Sequence, residues 1–179
     1  MSISYEIKVK FGDLLDAQAG YLVNPSNTAM LLGSGVSMAF KRRCSSKLEK
    51  YMQEQLKIKD IKQGGVVKTA SNHINFPFVL HAAVMNYTNR SKPKTPNLKT
   101  IVEILNNIQE IILQDQSKHI KMALPLMGCG VGRLDKREVI YEYKRFFKQN
   151  LDAEKECEVE IYGFNESDFE LLEEILIKS

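Results

Sequence analysis

Three alternating glycines, Gly128, Gly130 and Gly132, stop the apolar run from Leu124 to Met127, and the polar segment Arg133 to Asp135 follows them. Glycine lets the backbone take positive φ angles and approach a ligand with no Cβ in the way. Between a strand end and a helix start, such a loop turns several N–H groups toward one point, which is an anion site and most often a phosphate site. The same glycines would also serve a plain tight turn. A second stretch favours the anion site: the short apolar strand Tyr21 to Val23 ends in polar residues, and Gly33, Ser34, Gly35 and Val36 then open a helix. Two such loops suit a diphosphate better than a single phosphate, so the pattern points to a nucleotide-like ligand.

Other polar residues stand at similar places. Gly12 and Asp13 end a strand; Asp13, just ahead of Leu14, either caps the next turn or accepts a hydrogen bond from a ligand amine. Asn24 and Asn27 flank Pro25 and Ser26 in what reads as a turn by composition. Their amides either satisfy local backbone groups or reach ribose hydroxyls. His81, inside a nearly all-apolar run, reads as a hydrogen-bonded core residue before it reads as a catalyst.

The elements that must carry these residues follow from periodicity. Tyr5 to Phe11 alternates apolar and polar side chains, the period of a half-buried strand. From Val36 a helix is predicted with Val36, Ala39, Phe40 and Cys44 on one face. Ser46 and Glu49 read as a capping box for a second helix through Leu48, Tyr51, Met52 and Leu56. Val66 to Ala70 reads as a strand after Gly64 and Gly65, and Phe78 to Met85 as a central strand covered on both faces. The polar segment from Asn86 to Pro96 is predicted to be an exposed loop.

Thr95 and Pro96 read as the start of a helix striped by Leu98, Ile101, Val102, Leu105, Ile108 and Ile112. Lys121 to Leu126 is the strand feeding the second glycine loop. Asp135 and Glu138 cap the next helix, which buries Val139, Ile140, Tyr143, Phe146 and Phe147. Glu158 to Tyr162 is a last alternating strand; Phe164 and Asn165 leave it, and a closing helix carries Phe169, Leu172, Ile175 and Leu176. Strands alternating with helices argue for an α/β/α layered domain around a mixed, largely parallel sheet. Ligands in such folds collect at the carboxyl ends of the strands, where the polar candidates lie.

A chain of 179 residues with 44% hydrophobic and 26% charged residues fits one soluble domain over residues 1–179, with a core that needs neither disulfides nor metal. The net charge of +3 is too small to argue for a nucleic-acid partner, and Lys41, Arg42, Arg43 and the basic stretch from Arg90 to Lys99 read as solvated faces. No apolar run approaches the roughly 20 residues of a membrane span, and the N-terminal residues lack a signal-peptide pattern. Cys44, Cys129 and Cys157 form no C-x-x-C pair, and His73, His81 and His119 do not fall at zinc spacing from them. The expectation is a cytoplasmic protein with no metal and no cofactor, its oligomeric state left open.

Together these residues resemble a macrodomain, the ADP-ribose-binding module. Gly12 and Asp13 resemble the family's strand-end G-D, and Asn24, Pro25, Ser26 and Asn27 stand where N-A-A-N is usual. Leu32 to Val36 resembles the first phosphate loop, Val79 to Ala82 the central strand, and Gly128 to Gly132 the second loop. From Gly128 to Asp135 the second loop is most similar to the branch containing ADP-ribose-glutamate hydrolases and toxin-reversing macrodomains. The resemblance implies that Asp13 accepts the adenine amino group and Phe164 stacks on the ring, with Leu14 and Asn165 beside them. It implies that Gly33, Ser34, Gly35 and Val36 and Gly128, Cys129, Gly130 and Val131, with Gly132 closing the loop, hold the diphosphate. Asn27, with Asn24 nearby, contacts the distal ribose.

Departures from the family pattern bear on chemistry. In the common hydrolase pattern an aspartate follows the first glycine loop, and Ser37 stands there. In the glutamate-hydrolase branch a lysine follows the central strand and an aspartate sits in the second loop; Met85, Asn86, Tyr87 and Gly132 occupy those places. Some macrodomains without the aspartate still hydrolyse ADP-ribose derivatives with a positioned water and the distal asparagine. Two functions therefore compete. One is a binding module for ADP-ribose or an ADP-ribosylated protein. The other is a phosphatase, deacetylase or glycohydrolase at the distal ribose, with Asn27 orienting the ligand and Ser37 or His81 assisting water.

Cys129 as a nucleophile lacks a nearby histidine in sequence to act as base. A Rossmann dehydrogenase fails on the spacing and late position of the glycines. An RNA-binding sheet would need exposed aromatics among cations, and the aromatics here fall on core stripes.

Overall fold

The computed structural model describes residues 2–33, 35–148 and 153–179. One 6-stranded sheet runs through it, formed by β1 (Ile3–Phe11), β2 (Tyr21–Asn27), β3 (Val66–His73), β4 (Phe76–Met85), β5 (His119–Pro125) and β6 (Lys155–Gly163). The strand order is β1-β6-β5-β2-β4-β3, and every neighbouring pair is parallel except β3 with β4. Helices α1 (Gly35–Arg43) and α2 (Lys47–Ile58) pack on one face. Helices α3 (Leu98–Gln114), α4 (Lys136–Phe147) and α5 (Glu166–Leu172) pack on the other, with a π turn, Glu173–Ile177, continuing α5. This is the expected α/β/α sandwich around a largely parallel sheet.

Strand β4 explains why a central strand reads as a continuous apolar run. Leu80, Ala82 and Val84 enter the core under α3, α4 and α5, while Val79 and Ala83 enter the one under α1 and α2. Both faces are covered, so both sets of alternating positions are apolar except at His81, whose two ring nitrogens are hydrogen-bonded. Helix α3 contributes Ile101, Ile104, Leu105, Ile108 and Ile112, all buried. Each such side chain contributes about 1.5–3 kcal/mol by leaving water.

Strand β1 alternates for a different reason. Ile3 and Tyr5 enter the core, but much of the opposite face of β1, β6 and β5 is not covered by α1 and α2, whose core takes in Ala123 of β5 and Tyr162 of β6. A charge ladder covers it instead: Lys8 pairs with Glu158, Lys10 reaches Glu160 at 3.6 Å, and Lys121 reaches both glutamates at 3.7 Å. Such pairs add little stability, but they keep an open sheet face polar.

Several local expectations are corrected. Asn24 to Asn27 is strand and not turn, because pairing with β4 continues from Tyr21↔Phe78 to Asn27↔Met85. Pairing with β5 stops at Leu22↔Ala123, so Pro25 lies where β2 has a single bonded neighbour and a missing N–H is tolerated. Ser46 sits in helical φ/ψ and makes no side-chain cap, and Glu49 turns away to accept a hydrogen bond from the Leu32 N–H at 2.8 Å. Helix α3 is capped two residues later than Thr95 by Asn97, whose side chain and that of Thr100 bond each other's backbone N–H. Asp135 caps α4 as expected, accepting from the Glu138 N–H at 3.1 Å.

One buried phenol ties α4 to the end of β5. The Tyr143 hydroxyl donates to the Pro125 carbonyl at 2.7 Å and accepts from the Met127 N–H at 3.0 Å. It therefore satisfies both backbone groups at the point where β5 turns into the second glycine loop. Tyr143→Phe leaves them buried without partners, and a loss of about 1–3 kcal/mol is expected in urea unfolding. An unchanged midpoint and slope would show that the hydroxyl holds nothing.

Candidate ligand-binding cleft

The sheet forks after Leu22 and Ala123. Beyond that point β2 runs on with β4 alone and β5 with β6 alone, and the two glycine loops leave the two prongs. Since β2 continues into α1 on one face and β5 into α4 on the other, the fork is a topological switch point, where open α/β sheets leave a crevice. A cleft of about 450 Å³ lies there, lined by Gly33, Gly35 and Val36 from the first loop and by Gly128, Gly130, Val131 and Gly132 from the second. Pro25, Ser26 and Asn27 also line it. Ser34 lies outside the described residues.

The glycines of the second loop divide the work. Gly128 takes φ 78°, and its carbonyl accepts from the Leu134 N–H at 2.8 Å. A Cβ on Gly132 would stand 2.6 Å from that same carbonyl oxygen. Both positions close the loop on itself. Gly130 has no heavy atom within 4 Å of where a Cβ would be, so its smallness serves open space and not the fold.

The first loop is held from two sides. Asn27 accepts from the Ala29 N–H at 3.0 Å and the Leu31 N–H at 3.3 Å, and donates to the Leu31 carbonyl at 2.9 Å. From α2, Glu49 receives the Leu32 N–H, and the Gln53 amide donates to the Ala29 and Met30 carbonyls at 2.9 and 2.7 Å. Gly35 then takes φ 56° to enter α1. Asn27 is thus both a cleft residue and the internal brace of the loop.

Below the cleft runs a buried hydrogen-bond chain. Ser37 borders the cleft, but its Oγ faces inward, where Asn24 Oδ1 at 2.9 Å and the Pro25 carbonyl at 2.8 Å share its single proton. Asn24 Nδ2 meets His81 Nδ1 at 2.9 Å, and His81 Nε2 meets Thr69 Oγ1 at 2.8 Å. Because the amide can only donate, His81 Nδ1 is the acceptor and Nε2 carries the proton. Asn24 and His81 are fully buried. Burial holds the imidazole neutral, with its pKa down at about 3. The structure places Asn24 and His81 beneath the cleft and not along its surface.

The remaining candidates gather where β1 and β6 end side by side, Phe11 opposite Gly163. Asp13 Oδ1 caps the short turn Leu14–Asp16 through the Leu15 N–H at 2.9 Å, and Oδ2 meets Arg43 at 3.3 Å. Leu14 is buried, Asn165 caps α5 through the Asp168 N–H at 2.8 Å, and Phe164 is 77% exposed. This group lies beyond the residues that line the cleft itself. Cys129 is half-buried with its thiol on the Met127 carbonyl at 3.6 Å, and burial pushes its pKa up to about 11. At neutral pH it is a thiol and a poor nucleophile.

Some cleft residues carried no signal in the sequence. Glu49, Lys41, Tyr87 and Arg90 also line it, and Ser26 Oγ is a buried polar atom with no partner among the described residues. Glu49 had a competing role as a helix cap; Lys41 and Arg90 read as solvated faces, and Tyr87 sat in a segment read as loop, where the glutamate-hydrolase branch has its lysine. No three His, Cys, Asp or Glu side chains among the described residues gather as metal ligands, and no described helix is long and apolar enough to cross a membrane.

The chain belongs to the macro domain family, whose sequence model matches residues 23–141. It is 30% identical over 136 residues to an uncharacterized protein of Aeropyrum pernix, covering 76% of this chain and 67% of that one. It is 26% identical over 153 residues to a DNA ADP-ribosyl glycohydrolase of Thermus aquaticus, covering 84% of this chain but only 39% of that protein. The fold is that of the Oceanobacillus iheyensis macrodomain solved with ADP, at a TM-score of 0.76 and 20% identity, over 95% of this chain and 89% of that one.

The neutral, buried His81 gives the protein an acid-sensitive step. The unfolded chain binds a proton at this residue near pH 6.5, the folded protein only near pH 3, so in that window the unfolded state holds more protons and stability falls as pH falls. The contribution is complete above pH 6.5 and declines below it by up to about 1.4 kcal/mol per pH unit. Urea unfolding of His81→Gln between pH 6.5 and 4 should show a shallower decline than the wild type. Parallel declines would mean that His81 already takes up its proton in the folded state.

Proposed function

We propose that the cleft binds ADP-ribose, free or attached to a protein, with the diphosphate between the two glycine loops. The observation that carries this reading is that both loops, almost a hundred residues apart in the chain, line one cleft at the fork of the sheet. Backbone N–H groups on glycine-lined loops are neutral donors that need little positive charge to hold a diphosphate. In this reading Asn27 meets the distal ribose, while Asp13 accepts the adenine amino group and the exposed Phe164 stacks on the ring. That the Oceanobacillus macrodomain, of the same fold, is seen with ADP supports a diphosphate ligand. The reading includes a cytoplasmic setting, consistent with three free cysteines.

A second reading, hydrolysis at the distal ribose, is favoured by the glycohydrolase name of the Thermus relative. The form of the second loop supports kinship with the ADP-ribose-glutamate hydrolase branch. Ser37 and His81 enter this reading as positioning residues, since their hydrogen bonds run to Asn24 and away from the cleft.

Calorimetric titration tests the ligand. ADP-ribose is expected to bind at one site, with AMP and NAD weaker. Asp13→Ala should weaken binding about tenfold through loss of a charged acceptor. A Cβ at Gly33 would meet no heavy atom within 4 Å beyond its chain neighbours, so Gly33→Val should keep its thermal midpoint and lose ADP-ribose affinity by about tenfold or more. Full affinity in Gly33→Val, or no heat with the wild type, contradicts the assignment.

A further inference from the structure

Among the described residues that line the cleft, Glu49 is the one carboxylate. Its place is defined by its hydrogen bond: Oε2 accepts from the Leu32 N–H at 2.8 Å, one residue from Leu31, whose N–H and carbonyl are held by Asn27. Glu49 and Asn27 therefore grip adjacent residues of one loop, and the carboxylate stands at the Asn27 end of the cleft. It is half-buried, and its Oε1 makes no hydrogen bond among the described residues. One oxygen fixes the group, and the other is uncommitted among the described residues.

Holding the loop does not require a charge. One helical turn along α2, the neutral amide of Gln53 binds the neighbouring carbonyls of Ala29 and Met30. A neutral amide oxygen at position 49 could also accept from the Leu32 N–H, though less strongly than a carboxylate. A carboxylate beside a diphosphate site opposes anion binding, so its charge costs affinity and needs another use. The other candidates for moving a proton are occupied: Ser37 donates inward, and His81 is sealed beneath the cleft.

We propose that Glu49 is the general base of a hydrolysis at the distal ribose, a role that rests on the reading of the cleft as an ADP-ribose site. Water is held between Glu49 Oε1 and the anomeric carbon of a ribose placed by Asn27. As the water oxygen bonds to that carbon, Oε1 takes a water proton, and the bond from carbon to the acceptor's oxygen breaks with its electron pair leaving on the acceptor. The proton then passes from Glu49 to that oxygen or to solvent, giving ADP-ribose and the free acceptor. Glu49 thereby supplies from α2 the carboxylate that Ser37 does not supply from α1.

The test compares wild type, Glu49→Gln and Glu49→Ala in ADP-ribose binding by calorimetry and in release of ADP-ribose from a mono-ADP-ribosylated protein. Gln keeps an oxygen for the Leu32 N–H and removes the charge that opposes the diphosphate, so Glu49→Gln should bind ADP-ribose at least as tightly as wild type while its kcat falls by about 100-fold or more. The acid limb of the wild-type kcat/KM profile should be absent from Glu49→Gln. Glu49→Ala should lose affinity as well, because the loop loses its brace. Turnover by Glu49→Gln at the wild-type rate, or wild-type binding without release, overturns the role of Glu49 and leaves the ligand standing. A wild type that binds no ADP-ribose overturns the ligand assignment itself.

Discussion

The structure depends on the short length over which β2 and β5 stay together. Their pairing covers only Tyr21↔Met122 and Leu22↔Ala123, and then each strand follows its other neighbour. Strand β4 pairs one edge of β2 and β6 one edge of β5, so past the fork the two facing edges have no ladder partner and their polar groups must be met by side chains or a ligand. Because the helices after the two prongs lie on opposite faces, nothing fills the gap from above. A cleft at this place is therefore a consequence of connectivity, and the glycine loops inherit their positions from the strands that precede them.

A forked sheet has to be stiffened where pairing is lost, and polar side chains do this. Tyr143 satisfies the backbone at the end of β5, Asn27 braces the loop after β2 from within, and Glu49 and Gln53 brace it from α2. Beneath the β2 prong, Ser37, Asn24, His81 and Thr69 link α1, β2, β4 and β3 in one hydrogen-bonded line. Buried polar groups with every partner present rigidify a structure, whereas a missing partner is costly. The same residue types that look catalytic in sequence are thus also the material needed to hold a cleft open.

That double use sets what was legible from sequence. The layered fold was legible because its signals are periodic: the alternation of β1, the nearly all-apolar β4 and the stripe of α3 each have one reading. The glycine loops were legible because few other residues permit such turns. Asn24 to Asn27 read as a turn because Asn, Pro and Ser are turn formers, and only the loss of pairing on one side lets them continue a strand. Glu49 spaced three from Ser46 matched a local capping pattern, yet its partner lies 17 residues away in sequence. No local rule sees a contact of that kind. His81 was readable as a buried, bonded residue, but its partners Asn24 and Thr69 come from neighbouring strands whose register is a property of the sheet.

The central claim is that two distant loops act on one ligand at the fork. Titrating 15N-labelled protein with ADP-ribose and following backbone amides tests it most directly. The account predicts that the amides of Gly33, Gly35 and Val36 and those of Gly128 to Gly132 shift together, along one saturation curve. Shifts confined to a single loop, or amides that stay in place at ligand saturation, would contradict it.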